Sequence, residues 1–179
     1  MREAQRGSRD AVEALFRIHW PRAHRAAYLV VHDGAAAEDI AQEGFLAALR
    51  AFDRFDRRRP FGPWLYRIVV NRAIDHARSR GLRREVHADG HEPEAPDEPA
   101  PRPYSEEMLA ALAALPPDRR AVIVLRYVLD FTPGEIAKAL DLPRGTVNSR
   151  LRRGLDTLRA RLAEDERAAM GDRDQEVQP

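Results

Sequence analysis

The chain has 179 residues, no cysteine, and 30 basic against 29 acidic side chains, which gives a formal net charge of +1. The lack of cysteine excludes a disulfide framework, a thiolate zinc site and a cysteine nucleophile, and it suits a reducing cytoplasm. No apolar run approaches the roughly 20 residues that cross a bilayer, so we expect neither membrane insertion nor a secretory leader.

Charge is divided by segment along the chain. Residues 50–84 carry eleven arginines against three acids, whereas residues 85–101 carry six acids and no lysine or arginine. The stretch 87–103 also has five prolines and almost nothing large and apolar, so it cannot bury a core and is predicted to be extended. The sequence therefore predicts two domains at 1–84 and 104–165, an acidic Pro-rich linker at 85–103, and a disordered tail at 166–179.

Apolar residues at helical spacing predict an all-α fold of two small helical domains, and no strand pattern of period two is present. The predicted helices are 8–20, 21–32, 36–52, 61–80, 104–115, 117–129, 133–140 and 144–163. The third has a continuous apolar stripe and an acidic opposite face with Glu38, Asp39, Gln42 and Glu43. Such a face suits a basic protein surface, although a solvated helix face explains the same residues.

The fourth predicted helix begins among aromatic and basic residues. The aromatic residues are Phe52, Phe55, Phe61, Trp64 and Tyr66, and the arginines before the helix are Arg57, Arg58 and Arg59. Rings stack on exposed bases and guanidinium groups bind the backbone, so this composition favours single-stranded or opened DNA. The alternative is that Phe61 and Trp64 belong to the core. Along the helix, a ladder that could follow one strand is formed by Arg67, Asn71, Asp75 and Arg78.

The last two predicted helices have the pattern of a helix-turn-helix. Thr132 and Glu135 form a capping-box signature around Pro133 at the first helical position. The final helix has a buried stripe at Val147, Leu151, Leu155, Leu158 and Leu162. Its outer face can reach phosphates and base edges in a major groove through Arg144, Thr146, Asn148, Ser149, Arg150, Arg152 and Arg153.

Taken together, the chain resembles the extracytoplasmic-function (ECF) sigma factors of the bacterial sigma-70 family. The motifs that carry the resemblance are AEDIAQEGFLAAL at 37–49, FGPWLYRIVVNRAID at 61–75, LPPDRRAVIVLRYVLDFTPGEIAKAL at 115–140 and GTVNSRLRRGLDTLR at 145–159. Gly44, Asn148 and Gly154 depart from the residues that the family commonly has at these positions.

The resemblance implies a sigma-2-like first domain and a sigma-4-like second domain that direct core RNA polymerase to promoters. Asp39, Gln42 and Glu43 would bind the β′ coiled coil of polymerase, and the second domain would also contact the β flap. The opened −10 element would be bound by Arg57, Arg58, Phe61, Trp64, Arg67, Asn71 and Asp75. The helix-turn-helix would read the −35 element, and an anti-sigma factor is an expected partner. Neither a cofactor nor a metal is implied.

Two other classes of function compete with this interpretation. A stand-alone helix-turn-helix regulator would bind an operator tightly without polymerase, with the first domain as a sensor. An enzyme would need acid-base or metal chemistry from His19, His24, His32 and His76, which have no metal-ligand spacing such as HExxH.

Overall fold

The computed structural model describes residues 2–86 and 104–175, and every regular element in these two ranges is helical. The all-α class is therefore confirmed. The eight α-helices are α1 (Arg2–Gln5), α2 (Arg9–Val31), α3 (Gly34–Arg50), α4 (Phe61–Val86), α5 (Glu106–Ala113), α6 (Pro117–Tyr127), α7 (Pro133–Leu140) and α8 (Arg144–Gln175), with a 3₁₀ turn at Phe52–Arg54. The predicted linker lies, from residue 87 onward, outside the described residues.

Side-chain caps fix several helix starts. The side chain of Ser8 accepts a hydrogen bond from the Ala11 N–H at the start of α2, and that of Asp33 accepts one from Ala36 at 2.9 Å at the start of α3. Each cap satisfies a backbone donor that has no partner within its own helix.

The prediction of separate helices at 8–20 and 21–32 is wrong, because α2 continues through Pro21 without a break. Proline lacks the N–H that would bond to the carbonyl four residues earlier, but Pro21 is exposed and water can reach that carbonyl. Packing of α2 against α3 and α4 then holds the helix together on both sides of the proline. Tertiary contact overrides the local signal here.

Other helix bounds also differ from the predictions. The short α1 and the 3₁₀ turn have no predicted counterpart, and α4 continues past residue 80 to Val86. Helix α8 continues past residue 163 to Gln175, into the segment predicted to be a disordered tail.

Helices α2, α3 and α4 form the first half of the molecule around fully buried side chains such as Leu29, Leu65 and Val69. Helices α5 to α8 form the second half around Val122, Leu125, Ile136 and Val147. The buried residues of both halves make one continuous apolar cluster, because α2 contacts α5 and α6, and α4 contacts α6 and α7. The two halves thus pack directly on each other, and the predicted domain boundaries stay a prediction.

Arg120 is a buried charge at the junction of the halves, with 7% of its surface exposed. Its guanidinium donates to the carbonyl of Val30 in α2 and, at 2.6 and 2.8 Å, to those of Ala113 and Leu115 near the end of α5. Carbonyls at helix C-termini carry partial negative charge and lack helical partners, so they suit a cation. Burial lowers the pKa of Arg120 to about 10.

His32 ends α2 next to this junction. It has left-handed backbone geometry (φ 52°), and its N–H donates to the Tyr28 carbonyl at 2.8 Å. Burial, and secondarily the charge of Arg120, lowers the pKa of its imidazole to about 4. His32 is therefore neutral in the folded protein at ordinary pH.

A close approach between α3 and α4 explains Gly44. A Cβ atom at this position would lie 2.5 Å from Cγ2 of Val69, which a β-branched side chain in a helix cannot easily move. We expect Gly44→Ala to lower the free energy of unfolding by about 1–2 kcal/mol in urea denaturation, because overpacking outweighs the gain in helix propensity.

Gly81→Ala is the matched control, since Gly81 lies exposed in α4 with nothing within 4 Å of an added Cβ. It is expected to raise stability by up to about 1 kcal/mol. Equal effects of the two substitutions would contradict the close approach.

The pKa of His32 predicts a pH dependence of stability. Between about pH 6.5 and 4 the unfolded chain binds a proton that the folded chain does not, so the free energy of unfolding falls as the pH falls through this window. Above the window this contribution is constant. His32→Asn keeps a residue that tolerates left-handed geometry but does not titrate. Urea denaturation of both proteins from pH 7.5 to 4 should show the steeper loss in the unsubstituted chain, and parallel curves would refute the assignment.

Candidate protein and nucleic-acid interfaces

The acidic face of α3 is exposed, as predicted. Asp39, Gln42 and Glu43 all face solvent, and Glu43 accepts from Arg72 of α4 at 2.8 Å. Leu46, one turn after Gln42 and Glu43, is 51% exposed and extends this face with an apolar side chain. The sequence signal for Leu46 was its position outside the apolar stripe of the same helix.

An aromatic residue of α2 adjoins α3. Phe16 is 41% exposed, stacks on Trp20 with 4.7 Å between ring centroids, and contacts Phe45 at 4.8 Å. An exposed ring and an exposed leucine near carboxylates are typical of a protein-binding surface, whose core is apolar and whose rim is polar. We call Asp39, Gln42, Glu43 and Leu46 the docking face.

The aromatic residues before α4 form a packed cluster rather than an open stacking platform. Phe61 is 5% exposed, and its ring lies 5.6 Å from that of Phe52 and 5.9 Å from that of Phe55. Phe61 is therefore buried among other rings, in line with the alternative that it belongs to the core, and it packs against the half-buried Trp64, while its contact with the −10 element stays a prediction. Trp64 keeps part of its ring accessible.

The arginines before α4 are exposed. Arg57 and Arg58 both face solvent, and Arg58 and Arg59 pair with Asp56 at 3.2 and 3.7 Å. Hydrogen bonds from the Arg58 backbone and side chain hold the pKa of the Asp56 carboxyl below its usual value. Exposed ion pairs of this kind are weak, so a phosphate can compete for the same guanidinium groups.

The ladder on α4 runs along the junction of the two halves. Arg67 and Asp75 are exposed, but Asn71 is half-buried and its Nδ2 donates to the Ala139 carbonyl of α7 at 3.1 Å. One turn beyond Asp75, the Arg78 guanidinium donates to Asp118 of α6 at 3.0 and 2.6 Å. The Asn71 amide, which is predicted to read a base, therefore donates its hydrogen bond to the second half of the protein in this arrangement.

Helices α7 and α8 have the predicted helix-turn-helix form. The capping box is present, with the Thr132 N–H donating to Glu135 at 2.8 Å and the Glu135 N–H donating back to the threonine hydroxyl at 3.3 Å. Asp141 ends α7 in left-handed geometry (φ 51°), and α8 begins at Arg144. The predicted apolar stripe of α8 faces inward, with Val147, Leu151 and Leu158 buried.

The outer face of α8 divides into two groups. Arg144, Asn148, Arg152 and Arg153 are exposed. Thr146, Ser149 and Arg150 are half-buried: the Ser149 hydroxyl donates to the Thr146 carbonyl at 3.0 Å, and Arg150 pairs with Asp118 at 3.1 Å. The first group forms the accessible part of the outer face of α8, whereas Arg150 pairs with Asp118 within the protein.

His19 and His24 pack against aromatic side chains. Nδ1 of His19 lies 3.0 Å from the Tyr66 hydroxyl, burial and then Arg22 lower the pKa of His19, and His24 stacks on Trp20 at 5.7 Å. Across the described ranges, no three His, Asp or Glu side chains are placed to hold a metal ion, and no helix is long and apolar enough to span a bilayer.

Comparisons with known proteins match both halves of the chain. The family model described as Sigma-70 region 2 matches residues 15–83, and the one described as Sigma-70, region 4 matches residues 105–158. The ECF RNA polymerase sigma factor SigW of Bacillus subtilis (strain 168) is 33% identical over 178 residues, which covers 90% of this chain and 94% of that protein.

Solved structures show the same architecture. The sigma factor RpoE, in complex with the anti-sigma factor NepR from Bartonella quintana, aligns with a TM-score of 0.71. The alignment covers 84% of this chain and 96% of that chain at 22% sequence identity, so it supports the shared fold alone. CnrH, in complex with the cytosolic domain of CnrY, aligns with a TM-score of 0.67 at 29% identity over 91% of this chain and 94% of that chain.

Proposed function

This chain belongs to the ECF branch of the bacterial sigma-70 family, and we propose that it directs core RNA polymerase to promoters through three surfaces. The observation that carries the proposal is the presence, on one chain, of an acidic and apolar docking face on α3 and an exposed arginine face on α8. A stand-alone DNA-binding protein needs only the second of these surfaces.

The docking face is the proposed contact with polymerase. Carboxylates complement a basic partner and steer its approach, and the exposed Leu46 supplies the apolar contact that such a face needs for affinity. Asp39, Gln42 and Glu43 are proposed to bind the β′ coiled coil of polymerase. The second half is proposed to contact the β flap.

The surface around the start of α4 is the proposed contact with the opened −10 element. Arg57, Arg58 and Arg67 would hold the backbone, Trp64 would stack on a base, and Asn71 and Asp75 would contact base edges. Phe61 acts by supporting Trp64 from within the aromatic cluster. Extruding a base from the duplex costs a few kcal/mol of stacking, which these contacts would offset.

The outer face of α8 is the proposed reader of the −35 duplex. Arg144, Asn148, Arg152 and Arg153 would make the first contacts, and Thr146, Ser149 and Arg150 would follow as the helix settles in the major groove. Two weak attachments, one to polymerase and one to DNA, combine into a strong one because the second becomes intramolecular.

A regulatory partner and a cellular location are also proposed for this chain. The structural relatives RpoE and CnrH are each bound by a second protein, which for RpoE is an anti-sigma factor. We propose an anti-sigma factor as a partner of this chain as well. We also propose that the chain acts in the cytoplasm, where polymerase and DNA are, without enzymatic chemistry of its own.

The decisive test is transcription by core polymerase on a library of genomic fragments, with and without the chain. New transcripts should appear only when the chain is added.

Asp39→Ala should weaken binding to core polymerase about tenfold in a surface-binding assay, in line with a lost interface charge. Glu164→Gln, an exposed acid on α8, is the control and should bind as the parent does. Tight, specific duplex binding that polymerase does not alter would instead favour the stand-alone regulator.

The arginine face of α8 predicts a change in salt dependence. On a fragment identified by transcription, Arg153→Ala should weaken duplex binding and lower the slope of log affinity against log salt by about one unit, because one phosphate contact is lost. Arg167→Ala is the control, since Arg167 is exposed and donates to Ala163 of its own helix at 2.8 Å. An unchanged slope in Arg153→Ala, measured by fluorescence anisotropy, would remove Arg153 from the DNA surface.

A further inference from the structure

Helix α1 reaches the 3₁₀ turn at Phe52–Arg54, which precedes the surface proposed for the −10 element. Nε2 of Gln5 donates to the Phe52 carbonyl at 2.8 Å and lies 3.5 Å from the Phe55 carbonyl. A helix of four residues is not stable by itself, so its position depends on contacts outside it. The buried Ala4 and the packing on α2 seat α1 on the first half, and Gln5 joins it to the turn.

Two consecutive caps determine the direction of α1. Gly7 follows the helix with left-handed geometry (φ 86°), and its N–H donates to the Ala4 carbonyl at 3.1 Å. The Ser8 N–H donates to the Glu3 carbonyl at 2.9 Å, which completes a Schellman motif, where glycine is the favoured residue. Ser8 then caps the start of α2. The connection between α1 and α2 is therefore a defined turn, and it places Gln5 beside the loop.

The 3₁₀ turn has few hydrogen bonds of its own. The Arg54 N–H donates to the Ala51 carbonyl at 3.0 Å. The Phe55 N–H donates to the Phe52 carbonyl at 3.1 Å, and no side chain caps the start of the turn. Bonds of the 3₁₀ type have poorer geometry than α-helical ones. The amide of Gln5 supplies the turn with a contact from 47 positions away in the chain.

The position of the turn sets the position of the aromatic cluster. Phe52 and Phe55, whose carbonyls face Gln5, pack against Trp64 with 6.4 and 4.7 Å between ring centroids. Both phenylalanines are buried, whereas Trp64 is half-buried. The arginines proposed to hold the DNA backbone begin at Arg57, directly after this turn. A shift of the turn would therefore move both the rings that support Trp64 and the arginines that follow.

The Gln5 amide has a bonded end and an unbonded end. Its Oε1 is buried and has no hydrogen-bond partner among the described residues. The opposite orientation of the amide would place this oxygen against the carbonyls, so the NH₂ group must face them. A buried acceptor without a partner costs free energy, which offsets the gain from the donor. The net contribution of the amide to global stability is therefore small, and its main effect is on the position of the turn.

We propose that Gln5 is a positioning residue for promoter opening. Its amide holds the 3₁₀ turn, and so keeps Trp64 and the following arginines in one arrangement before DNA arrives. Such preorganisation removes the cost of ordering these groups when an opened strand binds. The proposal rests on the proposed function of the surface at the start of α4, whereas the contact with the turn is a property of the chain alone.

Gln5→Met tests the contact without DNA or polymerase. Methionine keeps the length and helix propensity of the side chain but has no donor. The Phe52 carbonyl still accepts from the Phe55 N–H, so stability in urea should change little. Hydrogen–deuterium exchange measured by NMR should become at least about threefold faster at the Arg54 and Phe55 amides, because local opening is easier. The amides of α6 should exchange as in the parent.

Two further variants sharpen this measurement. Gln5→Glu keeps the shape of the side chain but places a carboxylate against the two carbonyls at neutral pH, so exchange in the turn should again be faster. This variant tests the contact even if methionine repacks in the site. Glu3→Met is the matched control, because it introduces the same residue at an exposed position of the same helix. It should leave exchange in the turn unchanged.

Promoter opening is the functional readout, followed by permanganate reactivity of unpaired thymines on a fragment identified by transcription. With core polymerase, Gln5→Met should open the fragment about fivefold more slowly, the effect of one lost hydrogen bond, and Glu3→Met should open it as the parent does. Binding of Gln5→Met to core polymerase and to the −35 duplex should be unchanged. A general loss of structure would instead weaken all three activities together.

The exchange and opening measurements decide between the outcomes. Unchanged exchange in both Gln5 variants would overturn the inference, and so would faster exchange with an unchanged rate of opening in Gln5→Met. A parent chain that opens no promoter would overturn the proposed function. In that case the exchange of Arg54 and Phe55 would still decide whether Gln5 holds the turn.

Discussion

The arrangement of the two halves depends on one buried cation. Arg120 comes from α6, yet its guanidinium is held by main-chain carbonyls at the ends of α2 and α5, in a place where only 7% of the side chain meets solvent. A buried charge is tolerated when hydrogen bonds compensate it, and here carbonyls at the ends of two helices accept from Nη1 and Nη2, while the buried Nε has no hydrogen-bond partner among the described residues. Of these acceptors, Ala113 and Leu115 belong to the same half as Arg120, and the Val30 carbonyl is the one that lies across the junction.

Several arginines proposed to contact DNA already form ion pairs with carboxylates within the protein. Arg58 binds Asp56, Arg78 and Arg150 share Asp118, and the chain as a whole has nearly equal numbers of acids and bases. Internal pairing of this kind keeps a basic surface from attracting polyanions indiscriminately, since each guanidinium must exchange one anion for another. Attachment to polymerase then provides the proximity that makes the exchange favourable at a promoter.

The sequence predicted those features that depend on neighbouring residues. The Thr132–Glu135 capping box, the inward stripe of α8 and the acidic face of α3 follow from local spacing, and the structure has all three. Features that depend on distant residues were missed. Pro21 locally predicts a helix break, but contacts from α3 and α4 keep α2 continuous. The sequence leaves open whether Phe61 is exposed or buried, and its burial depends on Phe52 and Phe55. The contacts of Asn71 and Arg150 require α6 and α7 to be in place. No residue spacing carries that information.

The contact between Gly44 and Val69 has a consequence for how such chains diverge. It sets the distance between α3, which carries the docking face, and α4, which carries the ladder proposed to contact DNA, so neither helix can be repositioned alone. A larger side chain at position 44 needs a smaller one at position 69 to keep both surfaces in register. In an alignment of related sequences, these two positions should therefore covary in volume, and the surfaces proposed to bind polymerase and to open the promoter should be inherited as one unit.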